Sequence, residues 1–247
     1  MRYTTRQAGA LAIAGLLALP LYTIQGYKAA DARSAAVYPA GTTASGTAHV
    51  VDGDTIVVAG IKVRLEGIDA PEIGQTCGGS WLDAWPCGQE AANHLSRLVR
   101  DREVHCNSLG SDAYGRMLGL CATEGLDLNA DMVRNGLAWA FVKYTTRFAG
   151  LEADARARKV GIWRSEAKPA WVWRAERWAA AASERSDAPA GCVIKGNVTR
   201  NGHIYHMPWS SWYSKTRVEP ARGERWFCSE AEALAAGWRP ASPHRAE

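Results

Sequence analysis

The sequence predicts an α+β domain, mainly β, in which five strands close into a small barrel carrying three helices, with a small module behind it. Three observations lead there. Short β-branched runs separated by glycine turns lie between residues 49 and 65, helical patterns fall between and after strand pairs, and six cysteines stand as neighbouring pairs. At 247 residues with 47% hydrophobic content the chain has material for a packed core, which excludes a disordered protein. Its formal charge of +4 suits contact with polyanions but selects no function class.

Taken in order, Arg2 and Arg6 precede an uncharged, largely apolar run from 8 to 24 that contains Pro20, and Ala30-Asp31-Ala32 supplies a small-x-small cleavage pattern. Residues 1–32 therefore read as a signal peptide or an N-terminal membrane anchor, and either places the folded part in a secreted or periplasmic setting. Residues 33–44 are small and polar without periodicity and read as a tether. Strands are expected at 49–51, 55–58 and 61–65, turning at Asp52-Gly53 and Ala59-Gly60. A helix follows at 89–99, with Ala92, Leu95, Leu98 and Val99 on one face, then a hairpin of 103–107 and 117–123. Further helices are expected at 128–135, stopped by Gly136, and at 151–159. Five strands with a helix between the third and fourth make an OB-type barrel. The domain is bounded at 45–174, followed by an Ala- and Ser-rich linker at 175–190, helical or loose, and a cysteine-containing module at 191–240. Trp171, Trp173 and Trp178 read as cover for the barrel's open end or a domain junction, with a base-stacking platform as the alternative.

An even set of cysteines fits an oxidising compartment, and nearest-neighbour pairing gives Cys77 with Cys87, Cys106 with Cys121 and Cys192 with Cys228. Zinc held by the last pair with His203 or His206 is the alternative.

Acidic residues concentrate at strand ends: Asp52 and Asp54 flank Gly53, and Asp69 and Glu72 bracket Ala70-Pro71. Such oxygen donors, without histidine or thiolate, suit calcium or magnesium rather than zinc. Turn formation explains the same tripeptides without a metal. Arg64 stands inside a strand pattern of apolar neighbours, so it must be held by a partner, either the aspartates or a phosphate gripped bidentately. Arg116, after Asp112-Ala113-Tyr114-Gly115, is placed to do the same.

Four ordered segments make the pattern specific. Val51-Asp52-Gly53-Asp54-Thr55-Ile56, the run from Arg64 to Glu72, the run from Asp112 to Arg116, and Asn135-Gly136-Leu137-Ala138 with the stretch 152–163 resemble successive signatures of the staphylococcal nuclease family. The resemblance spans about 47–164. It implies a calcium-dependent nuclease that hydrolyses phosphodiester bonds of DNA or RNA, which the N-terminal segment makes an exported one, and a monomer is expected. By it, Asp54 and Asp69 would be calcium ligands, with the backbone carbonyl of Ala70 facing the metal and Asp52 nearby. Glu72 would be the catalytic carboxylate, and Arg64 and Arg116 would hold the phosphate. Tyr114 would lie at the nucleotide phosphate, and Leu118 and Tyr144 would line the base pocket. Ala113 and Val142 depart from the family pattern, at a cationic and an aromatic position.

The tail resembles a small module found after nuclease domains in exported bacterial proteins, some of them linked to exopolysaccharide biosynthesis. Its Ser229-x-x-Glu232 capping box starts a short helix. The competing reading is a catalytically idle OB-type binding module at the cell envelope. Glu72 together with both arginines argues against it, since a binding surface has no use for a carboxylate beside a metal pair. A third reading makes the tail the working part.

Overall fold

The computed structural model describes residues 37–184 and 187–241. The segment read as signal peptide or anchor lies outside the described residues, as does the start of the tether. Among the described residues no helix is long and apolar enough to cross a membrane. The described residues belong to one compact unit.

The chain opens with β1 (Thr43–Val50), β2 (Thr55–Val58) and β3 (Ile61–Leu65), an antiparallel meander in which Ala48 faces Val58 and Thr55 faces Arg64. The two residues of β4 (Ile68–Asp69) follow, and then α1 (Cys87–Val99) crosses back over the sheet. The hairpin of β5 (Glu103–Ser111) and β6 (Met117–Thr123) sets Cys106 opposite Cys121. Antiparallel pairing of β1 with β5 and parallel pairing of β3 with β6 close five strands into a mixed barrel. This is the predicted OB-type architecture. β1 starts at Thr43, inside the segment read as tether, because Thr43 and Ala44 pair with Asn107 and Cys106 far along the chain. No local pattern signals such a partner.

The short β7 (Leu126–Asp127) leads into α2 (Leu128–Arg134), capped by the Asp127 carboxylate, which accepts from the Ala130 N–H. Gly136, at φ 63°, ends α2: its N–H meets the Val133 carbonyl and the Leu137 N–H meets that of Met132. Ile56, Leu65, Leu95, Met117, Leu128 and Met132 are fully buried in the barrel core. Each contributes about 1.5–3 kcal/mol by leaving water. Asn129, also buried, donates to the Glu66 and Gly119 carbonyls and accepts from the Cys121 N–H. It thereby pins α2 to the strand ends that carry the candidate site.

After β8 (Trp139–Ala140), which pairs with β4, and α3 (Ala149–Ala157), the chain enters α4 (Ala170–Ser183). This helix covers much of the segment read as helical or loose linker. Ala170 packs with Cys77, Cys87, Trp139 and Ile162, while Trp178 packs against both module clusters. Trp171 stacks on Phe141 at 5.8 Å between ring centres. The module orders β9 (Ile194–Thr199), β10 (Gly202–His206), β11 (Arg225–Phe227) and β12 (Arg239–Pro240) as β11-β9-β10-β12. Its short α5 (Glu230–Ala235) is capped by Ser229, which accepts from the Glu232 N–H at 3.1 Å, and Glu232 answers by accepting from the Cys228 N–H. All six cysteines are bonded as nearest neighbours: Cys77–Cys87, Cys106–Cys121 and Cys192–Cys228.

Candidate active site

The β2–β3 hairpin and β4 bring three charged residues together. Asp54 immediately precedes β2, Arg64 lies opposite Thr55 on β3, and Asp69 ends β4. Arg64 donates through Nη1 to Asp54 Oδ1 at 2.7 Å and through Nη2 to Asp69 Oδ1 at 2.9 Å. Asp54 also accepts from the Thr55 hydroxyl and, through Oδ2, from the Ala70 N–H at 3.0 Å. The Asp54 N–H in turn donates to Asp52. Of the two partners open to Arg64, aspartates or a phosphate, the aspartate pair is the one it meets here.

Glu72 stands on the irregular loop after Ala70-Pro71, with its N–H on Gln75 Oε1 and its carbonyl accepting from the Gln75 N–H. Gly88 lies so close that any side chain there would collide with the Glu72 carbonyl. The Glu72 carboxylate accepts from Arg174 Nη1 at 2.8 Å. Arg174 also forks onto Asp69, with Nη1 3.2 Å from Oδ1 and Nη2 2.9 Å from Oδ2.

Across the cleft, Asp112 organises a tight turn by accepting from the N–H groups of Tyr114 and Arg116 and from Arg116 Nε at 2.6 Å. The terminal nitrogens of Arg116 make no hydrogen bond among the described residues, and its guanidinium lies 5.4 Å from the centre of the Tyr114 ring. Asp52, Asp54, Arg64, Ala70, Glu72, Tyr114, Arg116, Leu118 and Tyr144 all line one cleft of about 760 Å³. Asp69 sits behind it, fully buried under Arg64 and Arg174.

Electrostatics follow from burial and crowding. Burial, reinforced by the Asp54 and Glu72 charges, pushes the Asp52 carboxyl up to about 7. Burial works on Asp54 too, but Arg64, the Ala70 N–H and the more distant arginines outweigh it and hold Asp54 below the usual range. Glu72 is raised by burial against the pull of Arg174. Four carboxyl groups, those of Asp52, Asp54, Asp69 and Glu72, crowd around two guanidiniums, those of Arg64 and Arg174, so with all four ionised two negative charges would be unmatched, and burial and mutual repulsion push Asp52 upward in response. That deficit and the all-oxygen donor set fit a divalent hard cation such as calcium. The fit is one of chemistry and charge: among the described residues no three acidic, histidine or cysteine side chains converge as a finished metal site, and both Asp54 and Asp69 are held by arginine.

Sequence reasoning missed several lining residues. Phe141 rather than Val142 faces the cleft, and α4 contributes Trp178 and the module Tyr205, Met207, Trp209, Trp212 and Glu230 as a second bank. Arg174 was also missed, although one signal was available. Ala170, Arg174, Trp178 and Ala181 fall at i, i+4, i+8 and i+11, so an arginine interrupts the inward stripe of a helix and needs an acidic partner.

The family of staphylococcal nuclease homologues matches residues 62–165, and a second family, ArfC, matches 174–240. The chain is 37% identical over 138 residues to the succinoglycan biosynthesis protein ExoI of Rhizobium meliloti (strain 1021), covering 53% of this chain and 71% of that protein. It is 36% identical over 134 residues to an uncharacterized endonuclease of Escherichia coli O157:H7, covering 51% and 81%. It is 34% identical over 144 residues to a micrococcal nuclease of Shigella flexneri, covering 51% and 77%. With the closed five-stranded barrel, the acid cluster and these relatives together, the chain belongs to the family of staphylococcal nuclease homologues.

Proposed function

We propose that the protein is a calcium-dependent nuclease that hydrolyses phosphodiester bonds of DNA or RNA outside the cytoplasm. The observation that carries this reading is one cleft holding a buried, under-compensated acid cluster opposite an arginine with free terminal donors. Relatives named as endonuclease and micrococcal nuclease point the same way. Three disulfides among the described residues support an oxidising location.

Hydrolysis needs an activated water, a held phosphate and compensation for charge that grows in the transition state. Glu72 takes the proton of the attacking water, a role favoured by the upward shift that burial gives its carboxyl. As the water oxygen bonds to phosphorus, the bond to the leaving oxygen breaks; that oxygen takes up a proton from solvent, and Glu72 later returns its proton to solvent. Arg116 donates its terminal N–H groups to the phosphoryl oxygens, with Nε fixed by Asp112. Arg64 keeps Asp54 and Asp69 in place. Asp54 and Asp69 would hold a calcium ion, which would supply polarisation of a phosphoryl oxygen. Tyr114, Leu118 and Tyr144 take the nucleotide beside the arginine.

The test is digestion of single-stranded DNA, duplex DNA and RNA by the full chain, with calcium and with excess chelator. Cleavage that needs calcium is expected. Binding without cleavage would return the protein to the binding-module class, and full activity in chelator would remove the metal from the mechanism.

A further inference from the structure

We propose that Arg174 is a positioning residue of the nuclease site, delivered by the helix that joins the barrel to the module, and that it sets the place of Glu72. The inference rests on the nuclease reading of the same cleft. Glu72 is on a loop without regular structure, and among the described residues its carboxylate is hydrogen-bonded by Arg174. The same guanidinium forks onto Asp69, whose position is dictated by the β4–β8 pairing and complete burial. Arg174 is thus a strut from a paired, buried strand to the irregular loop that carries Glu72. Three of its N–H donors are spent in this way, so the geometry favours positioning over direct contact with a phosphate.

The strut is itself held at both ends. Ala170, one turn earlier, is buried among Cys77, Cys87, Trp139 and Ile162 of the nuclease-like domain, and Trp178, one turn later, packs against the module. The entry to the helix makes a second hold on the loop: the Lys168 carbonyl accepts from Gln75 Nε2 at 2.6 Å, and Gln75 Oε1 accepts from the Glu72 N–H. Contacts to two carboxylates from one planar fork call for arginine, and a lysine ammonium reproduces the charge without the fork.

The experiment compares the full-length wild type with Arg174→Ala, Arg174→Lys and Arg174→Met. It measures kcat and KM on single-stranded DNA in calcium, rescue of the alanine variant by added methylguanidinium, and amide hydrogen exchange. A displacement of about 1 Å in a catalytic group costs on the order of a hundredfold in rate, so kcat is expected to fall by about that factor with KM little changed. Methylguanidinium should restore part of the loss, lysine should retain more than methionine, and exchange should quicken at residues 70–76 while β3 keeps its protection. An unchanged kcat would overturn the proposal. So would a raised KM at constant kcat, which would make Arg174 a substrate contact, or faster exchange throughout the barrel without rescue, which would make it purely structural. If the wild type cleaves nothing, the nuclease reading fails alone, and the exchange comparison still decides whether Arg174 holds the loop.

Discussion

Two arginines hold Asp69, and they reach it from opposite ends of the fold. Arg64 comes from β3, five residues before Asp69, and is locked into the barrel by the β2–β3 hairpin. Arg174 comes from α4, 105 residues later, and depends on a helix seated between barrel and module. Arg64 pairs with two buried aspartates and, among the described residues, makes no hydrogen bond or ion pair to the Glu72 loop. Arg174 joins one buried aspartate to the loop that carries Glu72. The first arginine therefore maintains the acid cluster, and the second connects it to the proposed base, Glu72. Stability and turnover should separate along that line.

The largest effect is expected from Arg64→Met. It strands two buried carboxylates, and removing one partner of a buried pair costs about 3–5 kcal/mol. Thermal unfolding should show a much larger loss for Arg64→Met than for Arg174→Met, because Asp69 keeps Arg64 in the latter. Equal losses would erase the distinction between the two arginines.

Glu72→Gln and Arg116→Ala should each leave the unfolding transition nearly in place while turnover falls. Loss of one preorganised transition-state contact costs roughly 2.7–4 kcal/mol, about a hundredfold to a thousandfold in rate. Steady-state kinetics on the purified variants would show it. Wild-type rates would remove these residues from the mechanism.

A smaller effect is expected when the Cys106–Cys121 link is removed by double substitution to serine. The bond spans 15 residues and encloses the turn that presents Arg116. A loop of that length contributes about 3 kcal/mol in the chain-entropy model. Denaturant unfolding should register this loss together with reduced kcat. Unchanged kcat would mean that Asp112 alone fixes Arg116.

The smallest effect concerns the module. Burial first, and then Lys195, lower His206 from its ordinary value of 6.5, and its Nδ1 is buried without a hydrogen-bond partner among the described residues. A histidine depressed in the folded state stabilises fully above 6.5, and that stability is lost as pH falls toward the folded value. Mild acid should therefore loosen the module, an effect that His206→Gln abolishes in tryptophan fluorescence melts. Identical acid sensitivity in that variant would place the cause elsewhere.

Much of the barrel was legible because its information is local. β2 and β3 match the alternation of 55–58 and 61–65, and Gly136 ends α2 through its positive φ. An arginine among apolar strand residues demanded a partner, either aspartate or phosphate, and two aspartates lay within ten residues, beside the same hairpin and on the short strand after it. Arg174 raised the same demand, but its partners were 102 and 105 residues away, where spacing carries no signal.

By itself, then, the order of residues determined the strand periodicities, the caps and the acid-and-arginine pattern of the hairpin, since each depends on contacts between residues near in sequence; the cysteine pairs follow chain order although the partners lie 10, 15 and 36 residues apart. Tertiary structure alone decided that β1 begins at Thr43, that Phe141 rather than Val142 faces the cleft, and that the module supplies its second bank. It also decided that α4 sends an arginine into the acid cluster. The physical reason is common to all four: each is selected by burial and charge pairing between segments that meet only after the barrel has closed.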